Sequence, residues 1–203
     1  TLTIAAAGDI NSAGAVELSG TSGISTAGDV DTTGDDITFN DAVALDGDVS
    51  LDSGSGAGAI AFDFAVDGDQ LLSVTAGTST LTFAAAVGGV TPLSGLAVNS
   101  AGVVEVSSTL AADDEGIDID ATTVNFDNTV TTTNAGTLTV TNAGVLTTLG
   151  LLNLDGAFAQ DGVGGVSLGG GITTSADDID FAGAVTLTAD AHLNTGGTGA
   201  VQG

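Results

Sequence analysis

The chain of 203 residues has no lysine, arginine, cysteine, methionine, tryptophan or tyrosine, and it carries one proline, Pro92, and one histidine, His192. Each absence closes a route. Without basic side chains nothing can neutralise a phosphate backbone, so nucleic acid is not an expected partner. Trypsin likewise has no residue after which to cut. Without cysteine there are no disulfide staples; a continuous core can do without them, and their absence decides no compartment. No run approaches the roughly 18 to 20 apolar residues of a membrane span, so none is expected. The opening Thr1-Leu2-Thr3-Ile4 lacks the basic region of a signal peptide. The chain reads as a segment of a longer secreted polypeptide.

What is present is acid on an apolar, small-grained background. There are 26 acidic residues, of which only Glu17, Glu105 and Glu115 are glutamate, while 42% of the chain is hydrophobic. Disorder goes with low hydrophobicity as well as high charge, so this composition predicts a folded core rather than an acidic tail.

The organisation is repetitive. Asp35-Asp36-Ile37-Thr38-Phe39 returns as Asp177-Asp178-Ile179-Asp180-Phe181, with Ile60-Ala61-Phe62, Leu81-Thr82-Phe83, Val104-Glu105-Val106 and Val124-Asn125-Phe126 between them. The spacing of roughly 20 to 23 residues is that of a solenoid, whose repeats bury their apolar faces against their neighbours. Within it, Ile4, Ile10, Val16, Ile24, Val30, Ile37, Val43 and Val49 stand about six to eight apart, each in a short alternating run. Gly, Asp, Asn and Ser punctuate the runs, as in Leu45-Asp46-Gly47-Asp48-Val49.

Sandwich hairpins space their strands more widely, so three short strands per turn predict an all-β, single-stranded parallel β-helix of roughly nine turns. Val, Ile, Leu and Phe are expected inside, with Thr, Ser, Asn and Asp outside. Residues 1–203 are expected to form one continuous solenoid domain, with Gly54 to Gly58, Gly169 to Gly171 and Pro92 at corners. Phe39, Phe62, Phe83 and Phe181 are expected on corresponding strands, the first three stacked on consecutive turns.

The succession Ile37-Thr38-Phe39, Ala42-Val43-Ala44-Leu45, Gly58-Ala59-Ile60-Ala61-Phe62 and Val87-Gly88-Gly89-Val90-Thr91-Pro92-Leu93 resembles the repeats of giant filamentous-haemagglutinin-like bacterial surface proteins. The resemblance is strongest over about 35 to 106 and returns at 177 to 187. It implies a right-handed parallel β-helix, secretion to the cell exterior or surface, and a part in adhesion, biofilm matrix or surface fibres. The lack of basic residues departs from many members of that family.

Chemistry finds few candidates. A Ser-His-Asp arrangement would have to use His192, and no nucleophile elbow accompanies it, so no enzymatic activity is expected and His192 reads as structural or solvent-facing. Asp29-Val30-Asp31-Thr32-Thr33-Gly34 opens like a calcium loop, but Asn40 stands where a bidentate Glu is needed. The acidic corners Asp35/Asp36, Asp46/Asp48, Asp113/Asp114 with Glu115, and Asp177/Asp178 are the candidate metal ligands, with calcium the candidate ion and no cofactor required. If such corners repeat on successive turns, like charges stand as little as about 5 Å apart. Spread over roughly 40 to 45 Å, the 26 acids approach the charge density of duplex DNA, and cations become expected partners.

The function these features predict is a non-enzymatic extracellular structural protein, a β-helical segment of a bacterial adhesin or of a surface fibre, sheath or matrix. Its partners would be neighbouring repeats, further copies of itself, cations, and polysaccharide or a cell surface. Alternatives are a filament subunit stacking end to end, a carbohydrate-binding or cleaving β-helix using paired carboxylates, and an ice-binding solenoid displaying Thr137-Leu138-Thr139-Val140-Thr141.

Overall fold

The computed structural model describes residues 1 to 203 except Thr198. The expected runs form strands where the alternation places them: Leu2–Ile4, Ile10–Ser12 and Val16–Leu18 make the first turn, and Ile24–Thr26, Val30–Thr32 and Ile37–Phe39 the second. Every strand pairing is parallel, each strand lying on its equivalent one turn later. Three sheets result. The first begins Leu2, Ile24, Val43, Val66; the second Ile10, Val30, Leu51; the third Val16, Ile37, Ile60, Leu81.

About ten turns form, rather than roughly nine, because some are shorter than the signature suggests. Ile24 pairs with Val43 after 19 residues, whereas Val43 pairs with Val66 after 23. In mid-chain the corners tighten until hydrogen bonding runs through them. Leu93–Val106 is one strand across the second and third sheets, and Leu110–Phe126 spans all three. At the far end the first and second sheets finish on Leu193–Asn194 and Val201–Gln202, while the third finishes a turn earlier on Val185–Leu187.

The core is a set of side-chain columns. Phe39, Phe62 and Phe83 stack on consecutive turns of the third sheet, with centroids 4.6 and 5.1 Å apart and rings within 8° and 13° of parallel. Strand spacing sets this offset stack, because equivalent residues stand about 4.8 Å apart. Val106, Phe126, Thr148 and Leu168 continue the column. Phe181 departs from expectation. It is buried but belongs to the second sheet, opposite Gln160, and its ring lies 5.4 Å from Phe158 at a 56° tilt. The Asp-Asp-Ile-x-Phe string can precede either sheet, since the corners before both need the same residues.

The inside is also less apolar than alternation predicts. Thr26, Thr32, Ser53, Thr132, Asn142, Thr148, Gln160 and Thr174 are buried. Most sit at strand ends and close the corner: Ser53 Oγ donates to Gly58 O (2.6 Å), Thr132 Oγ1 to Gly136 O (2.5 Å) and Thr174 Oγ1 to Asp177 O (2.5 Å). A corner carbonyl turned inward needs a donor, and a short hydroxyl side chain supplies one. The corners also need glycine where turns press together. Gly68 has φ 135°, and a Cβ there would lie 2.5 Å from Leu45 O.

Candidate functional site

The acidic corners are the candidate site, and the structure distributes them over two edges. Asp35 and Asp36 lie between the second and third sheets. Asp46, Asp48, Asp113, Asp114, Glu115, Asp177 and Asp178 lie between the first and second. Along this second edge the three groups occupy the third, sixth and ninth turns, so they stand roughly 14 Å apart and share no ion. Among the described residues no three acidic or histidine side chains converge on a point where an ion could be held. The apparent calcium loop is divided between two sheets, since Val30–Thr32 and Ile37–Phe39 belong to different faces.

Most of these carboxylates carry out a different task. Ala59 N–H donates to Asp36 Oδ1 (2.7 Å), Leu71 N–H to Asp48 Oδ1 (3.0 Å) and Ala200 N–H to Asp178 Oδ1 (2.7 Å), each bond running from one turn to the next. Asp29 does the same for Ser50 N–H (2.7 Å), and Asp67 for Val90 and Thr91 (2.7 and 3.2 Å). The geometry follows from the ladder. Asp36 O accepts from Val16 N–H of the turn before, and Ile37 N–H donates to Ala59 O of the turn after, so the side chain serves the one corner amide the backbone ladder would leave open. The remaining candidates make other bonds. Asp46 accepts from the Ser25 hydroxyl, Glu115 Oε2 from Ser94 Oγ (2.9 Å), and Asp113 Oδ1 from Thr133 Oγ1 (2.8 Å) and Asn134 Nδ2 (2.6 Å). The Asp177 carbonyl takes the Thr174 hydroxyl, and Asp114 is exposed.

Acids do not stack on acids at the Asp36 and Asp178 corners. Asp36 lies between Val16's predecessor and Ala59, and Asp178 lies beside Ala200. Along the strands Glu105 faces Thr82 and Asn125, Asp118 faces Ala97 and Thr139, and Asp180 faces Ala159 and Gln202. The expected run of like charges is thus largely interleaved with neutral residues. The exceptions are Asp31 opposite Asp52, and Asp9 at the corner beneath Asp29, whose N–H it accepts (3.1 Å). Partial burial, then the charges of Asp52, Asp29 and Asp9, hold the Asp31 carboxyl above its ordinary range.

Two shallow grooves run across the turns. One, of about 480 Å³, follows the edge between the first and second sheets past Thr131, Thr133, Asn153, Asp155 and Thr173. The other, of about 340 Å³, follows the edge between the second and third sheets past Asp120, Thr141, Asp161 and Val163. No aromatic ring lines either, because six of the seven phenylalanines are in the core and exposed Phe64 stands at the remaining edge. His192 is exposed, and its carbonyl accepts from Ile172 N–H (2.9 Å). Thr139 is flanked by Asp118 and Ala159 rather than by threonines of neighbouring turns.

The density of acid pairs points to the corners, but not to the ladder role of Asp29, which the sequence presents only as the opening of an incomplete calcium loop, nor to the inward threonines. The signal was an Asp immediately before the first β-branched residue of a strand, as in Asp29-Val30, Asp36-Ile37, Asp48-Val49 and Asp178-Ile179. No protein-family profile, no curated protein and no solved structure matches the chain.

Proposed function

We propose that the chain is a non-enzymatic structural protein of the cell exterior, a β-helical segment of a bacterial adhesin or of a surface fibre, sheath or matrix. One observation carries the reading: the corner carboxylates, the residues with most chemical potential, are used as turn-to-turn hydrogen-bond acceptors. A surface whose reactive groups hold the ladder together serves as a spacer better than as a catalyst. Cations, calcium among them, act here as counterions spread along the edges, because a rod of 26 negative charges gathers them without formed sites. Among the described residues no helix is long and apolar enough to cross a membrane.

A second reading, end-to-end association, has its own observation. Val185, Leu187, Leu193 and Val201 on the last strands are exposed, where their equivalents one turn earlier, Val166, Leu168, Ile172 and Ile179, are buried. A further repeat of the same polypeptide, or a second copy, would cover them by continuing the ladder.

The test combines electron microscopy of the purified protein with antibody labelling of intact source cells. Rods or fibres and surface labelling are expected. Labelling confined to the cell interior, or release of reducing sugars from a polysaccharide panel, overturns the reading.

A further inference from the structure

Four Asp-Gly steps occur in the chain: Asp46-Gly47, Asp67-Gly68, Asp155-Gly156 and Asp161-Gly162. Such steps are chemically labile. The glycine amide nitrogen attacks the side-chain Cγ of the protonated aspartic acid, a C–N bond forms, and the carboxyl OH leaves with the amide proton as water. Water then reopens the cyclic imide at either carbonyl, and opening at the backbone carbonyl leaves isoaspartate, with the chain rerouted through the side chain. The net change is an isomerisation. It needs a carboxyl free to turn and an amide N–H free of the ladder.

The structure withholds both from two of the four steps. Asp67 Oδ1 accepts from Val90 and Thr91, and Gly68 N–H donates to Thr91 O (3.3 Å). Asp155 Oδ2 accepts from Ala135 N–H (2.8 Å), and Gly156 N–H donates to Gly136 O (2.9 Å). Asp46 is held by the Ser25 hydroxyl. At Asp161 the only bond is the residue's own N–H to Val140 O (3.0 Å). Among the described residues its exposed carboxylate and the Gly162 N–H have no partner. The corner is also a projecting tip, with Val163 92% exposed.

Besides the backbone bonds of Asp161 N–H to Val140 O and Gly164 N–H to Asn142 O (2.9 Å), one side chain restrains this tip. Gln160 Nε2 donates to Gly162 O (2.7 Å) and to Asn142 Oδ1 (2.7 Å), and Gln160 Oε1 accepts from Gly183 N–H (2.8 Å). Gly162 is pressed so closely on the turn below that a Cβ there would come within 1.9 Å of Asn142 O. An extra backbone methylene at position 161 has no room in that contact. We propose that Asp161-Gly162 is a site of spontaneous isoaspartate formation, that the buried Gln160 amide governs its rate by holding the Gly162 carbonyl, and that the product loosens the Asn142–Gln160–Gly183 connection between three turns.

The experiment ages the folded protein at neutral pH and maps isoaspartate by digestion with a protease that cuts before Asp but not before isoaspartate, followed by mass spectrometry. The urea-unfolded chain serves as reference, in which the four steps react alike. In the folded protein isoaspartate at 161 is expected to exceed that at 67 and at 155 several-fold. Asp161→Glu abolishes it there, and Gln160→Ala accelerates it several-fold. Equal levels at the four steps, a maximum at 67 or 155, or a site at 161 that reacts only when unfolded would each overturn the proposal. An unchanged rate in Gln160→Ala, with melting still cooperative, would overturn the part assigned to Gln160.

Discussion

Asp31 and Asp52 face each other on adjacent turns of the second sheet, the one acid-to-acid pairing among the described strand registers. Partial burial, and then the charges of Asp52, Asp29 and Asp9, hold the Asp31 carboxyl above its ordinary value. A raised pKa in the folded state means that the folded chain binds more protons, so this pair costs stability above the folded pKa and the cost disappears as pH falls below the ordinary value. Asp31→Asn is expected to raise the melting temperature at neutral pH, by an amount equivalent to less than about 1 kcal/mol since the pair is partly exposed. The gain should vanish below about pH 4. Thermal melts of both proteins across pH check this, and a gain independent of pH would refute the pairing.

If the corner carboxylates are ladder acceptors, geometry rather than charge is what each supplies. Asp36→Asn keeps an Oδ1 for Ala59 N–H and should change stability little, whereas Asp36→Ala leaves that amide open and should cost about 1 kcal/mol. Asp178→Asn and Asp178→Ala should behave in parallel at Ala200. Chemical denaturation separates the outcomes; equal losses for Asn and Ala would mean that the charge matters.

Phe62 is the middle ring of three, stacked on Phe39 at 4.6 Å and on Phe83 at 5.1 Å. Phe62→Ala should cost about 3 to 5 kcal/mol, because a rigid column cannot close around the void. Phe62→Leu should cost less. A small loss for Ala in urea titrations would show that the interior rearranges.

Thr148 occupies the same column between Phe126 and Leu168, fully buried, and its hydroxyl has no hydrogen-bond partner. Thr148→Val removes the stranded hydroxyl while keeping the shape. It is expected to stabilise by about 1 to 2 kcal/mol. A lower melting temperature for the valine variant would contradict the assignment.

Because no three acidic or histidine side chains converge among the described residues, cations should act by screening. Millimolar calcium at low ionic strength is expected to raise the melting temperature, and sodium chloride at matched ionic strength should reproduce most of the rise. A saturable calcium effect that sodium does not reproduce would instead identify a formed site.

The sequence by itself determined the ladder. Branched apolar residues at Ile4, Ile10, Val16, Ile24, Val30, Ile37, Val43 and Val49 lie in the strands expected of them, because two-residue alternation and six- to eight-residue spacing leave a narrow choice of local geometry. Pro92 and the glycines at 54 to 58 likewise fall between strands, as their backbone limits require. Which column a residue joins was decided only by the tertiary structure. Phe181 carries the same local string as Phe39 yet enters another sheet, because the variable corner lengths accumulate along the chain and set the phase of each strand. The roles of the acids were decided there too. A carboxylate before a strand looks alike in sequence at Asp35 and at Asp36, but only the latter reaches the amide of the next turn, 23 residues on, and that distance is closed by winding alone.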